Sequence, residues 1–106
     1  DSMKHDMTLE KVMNEKTRES ILLRIHQEIP YNLTVHTEKI EMLKDSSIKA
    51  WQSIFVKKER HRAILIGKSG QTIKAISSNA RVKMEKTLKK RIHLFLVIKV
   101  KENEMS

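Results

Sequence analysis

Arg62-Ala63-Ile64-Leu65-Ile66-Gly67-Lys68-Ser69-Gly70-Gln71-Thr72-Ile73-Lys74 is the stretch whose reading decides the fold. The chain has only two glycines, Gly67 and Gly70, and both fall here. Glycine accepts backbone angles closed to other residues and lets a ligand approach with no Cβ in the way. From Gln71 onward Ile73, Ile76, Ala80, Met84 and Leu88 recur at three- and four-residue steps, which predicts an amphipathic helix of four to five turns with Ser69 as a candidate cap. Its opposite face carries Lys74, Arg81 and Lys86. Before the loop, the β-branched run Ile64-Leu65-Ile66 reads as a strand on composition. It stands too close to its neighbours for an easy sheet connection, and a short helix fits equally well.

Outward from this centre the pattern changes period. Ile92, Leu94, Leu96, Ile98 and Val100 alternate with His93, Phe95 and Lys99, predicting a closing strand with one buried face. Ile48, Ala50, Ile54 and Val56 share one face of a second strand, with Trp51, Ser53 and Phe55 on the other. Asp45-Ser46-Ser47 reads as the turn before it. Leu33, Val35 and Thr37 alternate, and Ile40 and Met42 resume one residue out of phase, so a bulge is expected near Glu38-Lys39. At the start, Leu9, Val12, Met13, Leu22, Leu23 and Ile25 suit a helix that begins at a Thr8 cap or nearer Glu15, since Asn14 to Glu19 is polar on every face. Ile29-Pro30 ends it, because proline disfavours α geometry in the residue before it.

The expected fold is α+β: helix, strand, strand, short helix, loop, long helix, strand. Two helices between the second and third strands form a crossover that permits a parallel pair. The sheet is then three-stranded and mixed, with helices on one face. The 106 residues fit one domain, read as 8–101, with 1–7 and 102–106 as flexible ends.

Composition narrows the function. The absence of cysteine excludes disulfides and thiolate metal sites and makes the cytoplasm the default compartment. No apolar run has membrane-spanning length, and the first residues lack the apolar segment of a signal peptide. The net charge is +9, concentrated in one stretch. Lys57 to Arg91 holds twelve Lys/Arg against Glu59 and Glu85, a charge of +10, and the remainder is −1. A basic field confined in this way suits a polyanion, nucleic acid before an anionic membrane. Gly67-Lys68-Ser69 matches the end of a phosphate-binding Walker A loop, but that loop needs a glycine at position 62, where Arg62 stands. No carboxylate pair, nucleophile–base pair or histidine ligand spacing is present, so no catalytic or metal-binding residue is assigned. His61 reads as an exposed surface histidine, and Trp51, Phe55 and Phe95 as packing residues rather than stacking platforms.

Ile64-Leu65-Ile66-Gly67-Lys68-Ser69-Gly70, with Ile73-Lys74 and Ala80-Arg81 behind it, resembles a KH signature, and the order of elements is similar to the type II KH domain. The likeness extends to the C-terminal KH domain of the Era family of ribosome-assembly GTPases. It is carried by His26-Gln27-Glu28-Ile29-Pro30, by Ile54-Phe55-Val56 and by Leu94-Phe95-Leu96-Val97-Ile98-Lys99-Val100, and it spans roughly residues 15–101. The resemblance implies single-stranded RNA as ligand, specifically the 3′ end of small-subunit ribosomal RNA, and the small ribosomal subunit as partner. It implies that Gly67, Lys68, Ser69 and Gly70 hold the RNA backbone while Ile66, Ile73 and Ile76 line an apolar groove for bases. Lys57, Lys58, Arg60, Arg62, Lys74 and Arg81 would add salt-dependent affinity. It also implies an N-terminal GTPase domain outside this chain, to which GTP and Mg belong, leaving this chain without a cofactor or an enzymatic activity of its own. Departures are Arg60-His61-Arg62-Ala63 for the family's Ser-Gln-Lys-Gly, Lys57-Lys58 for Glu-Arg, Lys89 for a glycine, and Val97 for a tryptophan.

Two other readings compete. A KH module of another ribosomal or transcription-associated protein would share the groove and differ in its RNA. A basic protein-interaction domain would bind RNA weakly and without dependence on the loop.

Overall fold

A computed structural model describes residues 2–26 and 29–101, with side chains from residue 9 onward except at 30 and 31. Helix α1 (Ser2–Arg24) is followed by a 3-10 turn (Ile29–Asn32) and strands β1 (Leu33–Met42) and β2 (Ile48–Val56). Helix α2 (Glu59–Ile66), a 3-10 turn (Lys68–Gly70), helix α3 (Gln71–Leu88) and strand β3 (Ile92–Val100) complete the described elements. The strand order is β1-β2-β3, with β1 and β2 antiparallel and β2 and β3 parallel. The sheet is therefore mixed, and the β2–β3 connection is the α2–turn–α3 crossover. Of the two conformations open for Ile64-Leu65-Ile66, the helix is the one adopted.

The expected slip in β1 is present: the pairing of β1 with β2 shifts between Thr37 and Lys39, leaving Glu38 as the extra residue. Without it Ile40 and Met42 would point away from the helices. The 45–47 turn holds through Asp45, whose carboxylate accepts hydrogen bonds from the Ser47 hydroxyl and amide.

The helices cover one face of the sheet. Near the glycine turn, Ile21, Ile25 and Ile29 pack with Leu33, Ile54, Val56, Leu65 and Ile76. At the other end Leu9 and Met13 pack with Ile48, Ala50, Ala80, Met84 and Ile92. A polar seam separates the two clusters. Buried Gln52, on β2, donates through Nε2 to Thr37 (3.1 Å) and Asn14 (3.3 Å) and accepts from the Thr17 hydroxyl, while Thr37 donates to Asn14 (2.6 Å). All the hydrogen-bonding groups of the Gln52 side chain are thus engaged in a place that excludes water, where an unmade bond is costly.

This seam corrects the reading of α1. Residues 14–19, polar by sequence, lie at the centre of its packed length, and the helix runs from Ser2 past both expected starts, Thr8 and Glu15. Its inner stripe is Leu9, Met13, Thr17, Ile21, at four-residue steps; Leu22 and Leu23, expected in the core, are exposed. The helix also ends earlier than Ile29-Pro30, at Arg24. Gln27 and Glu28 of the motif quoted above, and the 102–106 tail, lie outside the described residues. His61, read as exposed, is buried: it lies one turn before Leu65 on the inner face of α2.

Helix α3 ends on Lys89 in the left-handed region (φ 59°). Glu85, one turn back, ties this end to β3: its carboxylate accepts from the Ile92 amide (3.0 Å) and from Arg81 (3.1 Å). The Ile92 amide first, and then the Arg81 guanidinium, hold the Glu85 carboxyl below its ordinary value of 4.5.

Two outcomes follow from this packing. Gln52→Leu removes three hydrogen bonds from the seam and should lower unfolding free energy by about 1–3 kcal/mol, read by urea denaturation. A depressed carboxylate contributes stability that is present above its unfolded value and lost as pH falls through its folded one. Glu85→Gln should therefore destabilise the domain at pH 7 and shrink the difference from wild type as pH drops below about 4.5, followed by thermal melts across pH.

Candidate nucleic-acid interface

Three of the four residues between α2 and α3 have positive φ: Gly67 (76°), Ser69 (55°) and Gly70 (75°). Gly67 combines its φ with ψ 177°, a region essentially restricted to glycine. A Cβ there would lie 2.1 Å from the Thr72 Oγ1, so space and backbone angle both forbid a side chain. Gly70 is different, since a Cβ there would meet nothing within 4 Å. Ser69 bears the cost of a left-handed non-glycine, of order 1–2 kcal/mol. It does not cap α3 as the sequence suggested: Gly70 holds the cap position and no side chain caps the helix. The hydroxyl of Ser69 and the ammonium of Lys68 stand exposed at the tip of the turn, beside the positive end of α3.

A groove of about 390 Å³ starts where the turn meets α3 and runs between that helix and β3. Its helical wall is Ile73, Lys74, Ser77, Ser78 and Arg81, and its strand wall is Leu94 and Leu96. From Ile73 to Arg81 the helix rises about 12 Å. A larger hollow of about 550 Å³ lies at the opposite end of the sheet, among Leu9, Ile40, Met42 and Leu88, with Glu10 and Glu38 as well as Lys39 and Lys90 on its border. For a polyanion the smaller groove is the better site, since Lys74 and Arg81 line it and no acid does. Arg81 is anchored by its ion pair with Glu85 (3.1 Å), which fixes the guanidinium at the groove's far end.

The structure gathers some of the expected site residues and scatters others. Gly67, Lys68, Ser69, Gly70, Ile73, Lys74 and Arg81 form one continuous surface from turn to groove. Ile66 is half-buried at the end of α2, next to the turn. Ile76 is a correction: it is wholly buried in the core cluster and supports the groove from below instead of lining it. Lys57, Lys58 and Arg60 are exposed at the start of α2, about 12 Å from the turn along the helix. Arg62 pairs with Glu59 (3.2 Å) in the same region. Sequence reading missed Leu94 and Leu96, which it placed on a buried face. Since β3 is an edge strand, that face is only half covered, and nothing in the alternation says which strand is the edge. The Ser77-Ser78 pair was legible in principle, four residues beyond Ile73-Lys74 on the same helical face.

Among the described residues no group of His, Asp or Glu has the arrangement to hold a metal ion, and no helix is long and apolar enough to cross a membrane.

Comparisons with known proteins agree with this fold. A family described as the KH domain matches residues 28–105. The GTPase Era of Dinoroseobacter shibae is 44% identical over 98 residues, covering 92% of this chain and 32% of that protein. The GTPase Era of Rickettsia canadensis is 45% identical over 97 residues, covering 92% and 33%. The chain thus spans about a third of the length of the curated relatives it matches. Among solved structures, Aquifex aeolicus Era Y63A bound to GDP·AlF4⁻ superimposes with a TM-score of 0.81 at 28% identity, over 86% of this chain and 31% of that one. Era in complex with MgGDPNP and nucleotides 1506–1542 of 16S ribosomal RNA superimposes with a TM-score of 0.80 at the same identity and coverage.

The two glycines make a differential test of the turn. Gly67→Ala should destabilise the domain by several kcal/mol, through a steric clash added to backbone strain, whereas Gly70→Ala should cost only the left-handed penalty of about 1–2 kcal/mol. Calorimetric melts of the two variants would separate them; equal losses would mean that Thr72 does not confine the turn.

Proposed function

The chain belongs to the KH-domain family and corresponds to the KH region of Era-type GTPases, and from that premise we propose that it binds single-stranded RNA at the 3′ end of small-subunit ribosomal RNA. In this reading it is the RNA-anchoring part of a GTPase that acts on the small ribosomal subunit during assembly, in the cytoplasm. GTP and Mg are handled by a GTPase domain outside this chain, and the chain itself performs no catalysis. The observation that carries the proposal is the continuity of the turn with the groove, in the fold of an Era protein solved with nucleotides 1506–1542 of 16S ribosomal RNA.

The chemistry has three parts. Gly67 to Gly70 present backbone rather than side chain to a phosphate, with Lys68 as a mobile counter-charge and Ser69 as a donor. Ile73, Leu94 and Leu96 offer apolar surface to bases, and the unpaired edge of β3 offers backbone donors and acceptors to their edges. KH modules clamp about four nucleotides in this way. Lys74 and Arg81 lie along the path of the strand, so they hold its phosphates. Lys57, Lys58, Arg60 and Arg62 are remote from the groove and act on encounter rate and salt dependence more than on register.

Binding of wild type and of a Lys68→Asp, Ser69→Asp variant to a ribosomal 3′-end oligonucleotide and a scrambled control, across a salt series, tests this. Selective binding by wild type should fall at least tenfold in the variant while its melting temperature is retained. Equal, purely salt-driven binding by both proteins and to both RNAs would reduce the site to a generic basic surface.

A further inference from the structure

The face of the sheet turned away from the helices is neither polar nor bare. Trp51 on β2 and Phe95 on β3 are register partners, and their rings stack with centroids 5.5 Å apart and an interplanar angle of 20°. On the other side of Trp51, its β1 register partner Lys39 lies over the indole, 5.0 Å from the centroid. The order across the sheet is therefore cation, indole, phenyl, and there the sheet ends, since β3 has no further neighbour among the described residues. The outer side of the Phe95 ring faces no strand, and the residue is 47% exposed. The packing role expected of these aromatics from sequence is thus not a core role.

The charges on this face are placed with the rings. Lys49 lies 6.0 Å from Trp51, and Lys99 and Lys101 lie 5.8 and 5.6 Å from Phe55. Against these four lysines stand Glu41, opposite Lys49 in register, and Glu38, which is 4.0 Å from His36. Cations held against aromatic faces, beside one open π-surface, are the elements with which proteins take up single-stranded nucleic acid: bases stack and ammonium groups meet the phosphates. A protein partner would instead need a broad apolar patch free of charge, whereas the half-buried Trp51 and Phe55 here have lysines over their rings and only Phe95 and Val97 are exposed.

We propose that this outer face is an additional nucleotide subsite, in which one unpaired base stacks on the open side of Phe95 and extends the Lys39–Trp51–Phe95 row. The subsite rests on the RNA-binding reading above and deepens it. Leu94 and Leu96, the strand wall of the groove, flank Phe95 in sequence and point to the opposite face. A strand leaving the groove over the β3 edge meets Phe95 directly, with Lys99 four residues further along on the same face. The groove would fix the register of the RNA, and the edge would take the flanking base without regard to its identity, because every base has a π-face.

The test uses this chain, a 3′-end oligonucleotide and a set of its copies with an abasic site at each position in turn. Trp51 is the only tryptophan, so its emission reports on the row. Phe95→Ala should bind the intact oligonucleotide about tenfold more weakly, Phe95→Tyr like wild type, and RNA should quench Trp51 in the wild type. One abasic position outside the groove-bound segment should weaken wild type and leave Phe95→Ala unchanged. Phe95 is exposed, so an unchanged melting temperature separates these effects from misfolding. If wild type binds through Lys68 and Ser69 but Phe95→Ala binds equally well at every abasic position, the subsite is overturned while the groove stands, and the face is left to a protein partner. If wild type does not bind the RNA at all, the functional reading fails first and the subsite with it.

Discussion

Gly67 is where the molecule has no alternative. With φ 76°, ψ 177° and the Thr72 side chain where a Cβ would go, only glycine fits. Much follows from that one residue. It ends α2 after two turns, with its amide bonded to the Ala63 carbonyl (2.9 Å), and it lets α3 leave in the direction that brings Ile76, Ala80 and Met84 onto the sheet. The same constraint leaves the start of the turn, before Lys68 and Ser69, without a side chain. The adjacent groove inherits its position from the helix that the turn launches.

The second organising feature is the polar seam. Gln52 divides the core into two apolar clusters, and its partners come from α1 and β1. Apolar contacts tolerate sliding, because one methyl group fits another's place at modest cost. A fully engaged amide does not, since displacement of α1 by one turn would strand several buried donors and acceptors at once. Contacts between α1 and α3 act in the same sense: the Ser20 hydroxyl donates to Asn79 (2.8 Å), and Glu19 is 3.8 Å from Lys83. The helix that carries the groove is thereby held against the helix that carries the seam.

Much of this was legible in the residues. The period-2 run from Ile92 to Val100, the bulge near Glu38, the amphipathic α3 and the glycine turn all follow from local pattern, and each element is present, though the inner face of β3 is only half covered and Ser69 does not cap α3. What escaped was non-local. Thr17 and Gln52 are polar and buried because they find each other across 35 positions of sequence, which no local pattern records. His61 is buried because α2 is a helix, a choice the sequence left open. Ile76 and Leu94 exchanged roles for the same reason: both are apolar and periodic, and only the packed arrangement shows that α3 turns Ile76 inward while the sheet edge leaves Leu94 beside open space.

The parallel pairing of β2 with β3 has a consequence for when the groove comes into being. Its helical wall forms from local contacts, but its strand wall is the last element of the domain and joins its neighbour only after the whole crossover is made. Pairing across so long a loop is the slow step in assembling a sheet. During synthesis the turn and α3 leave the ribosome before β3 does, so a nascent chain has no cleft beside the turn. The groove and the completed fold therefore arrive together.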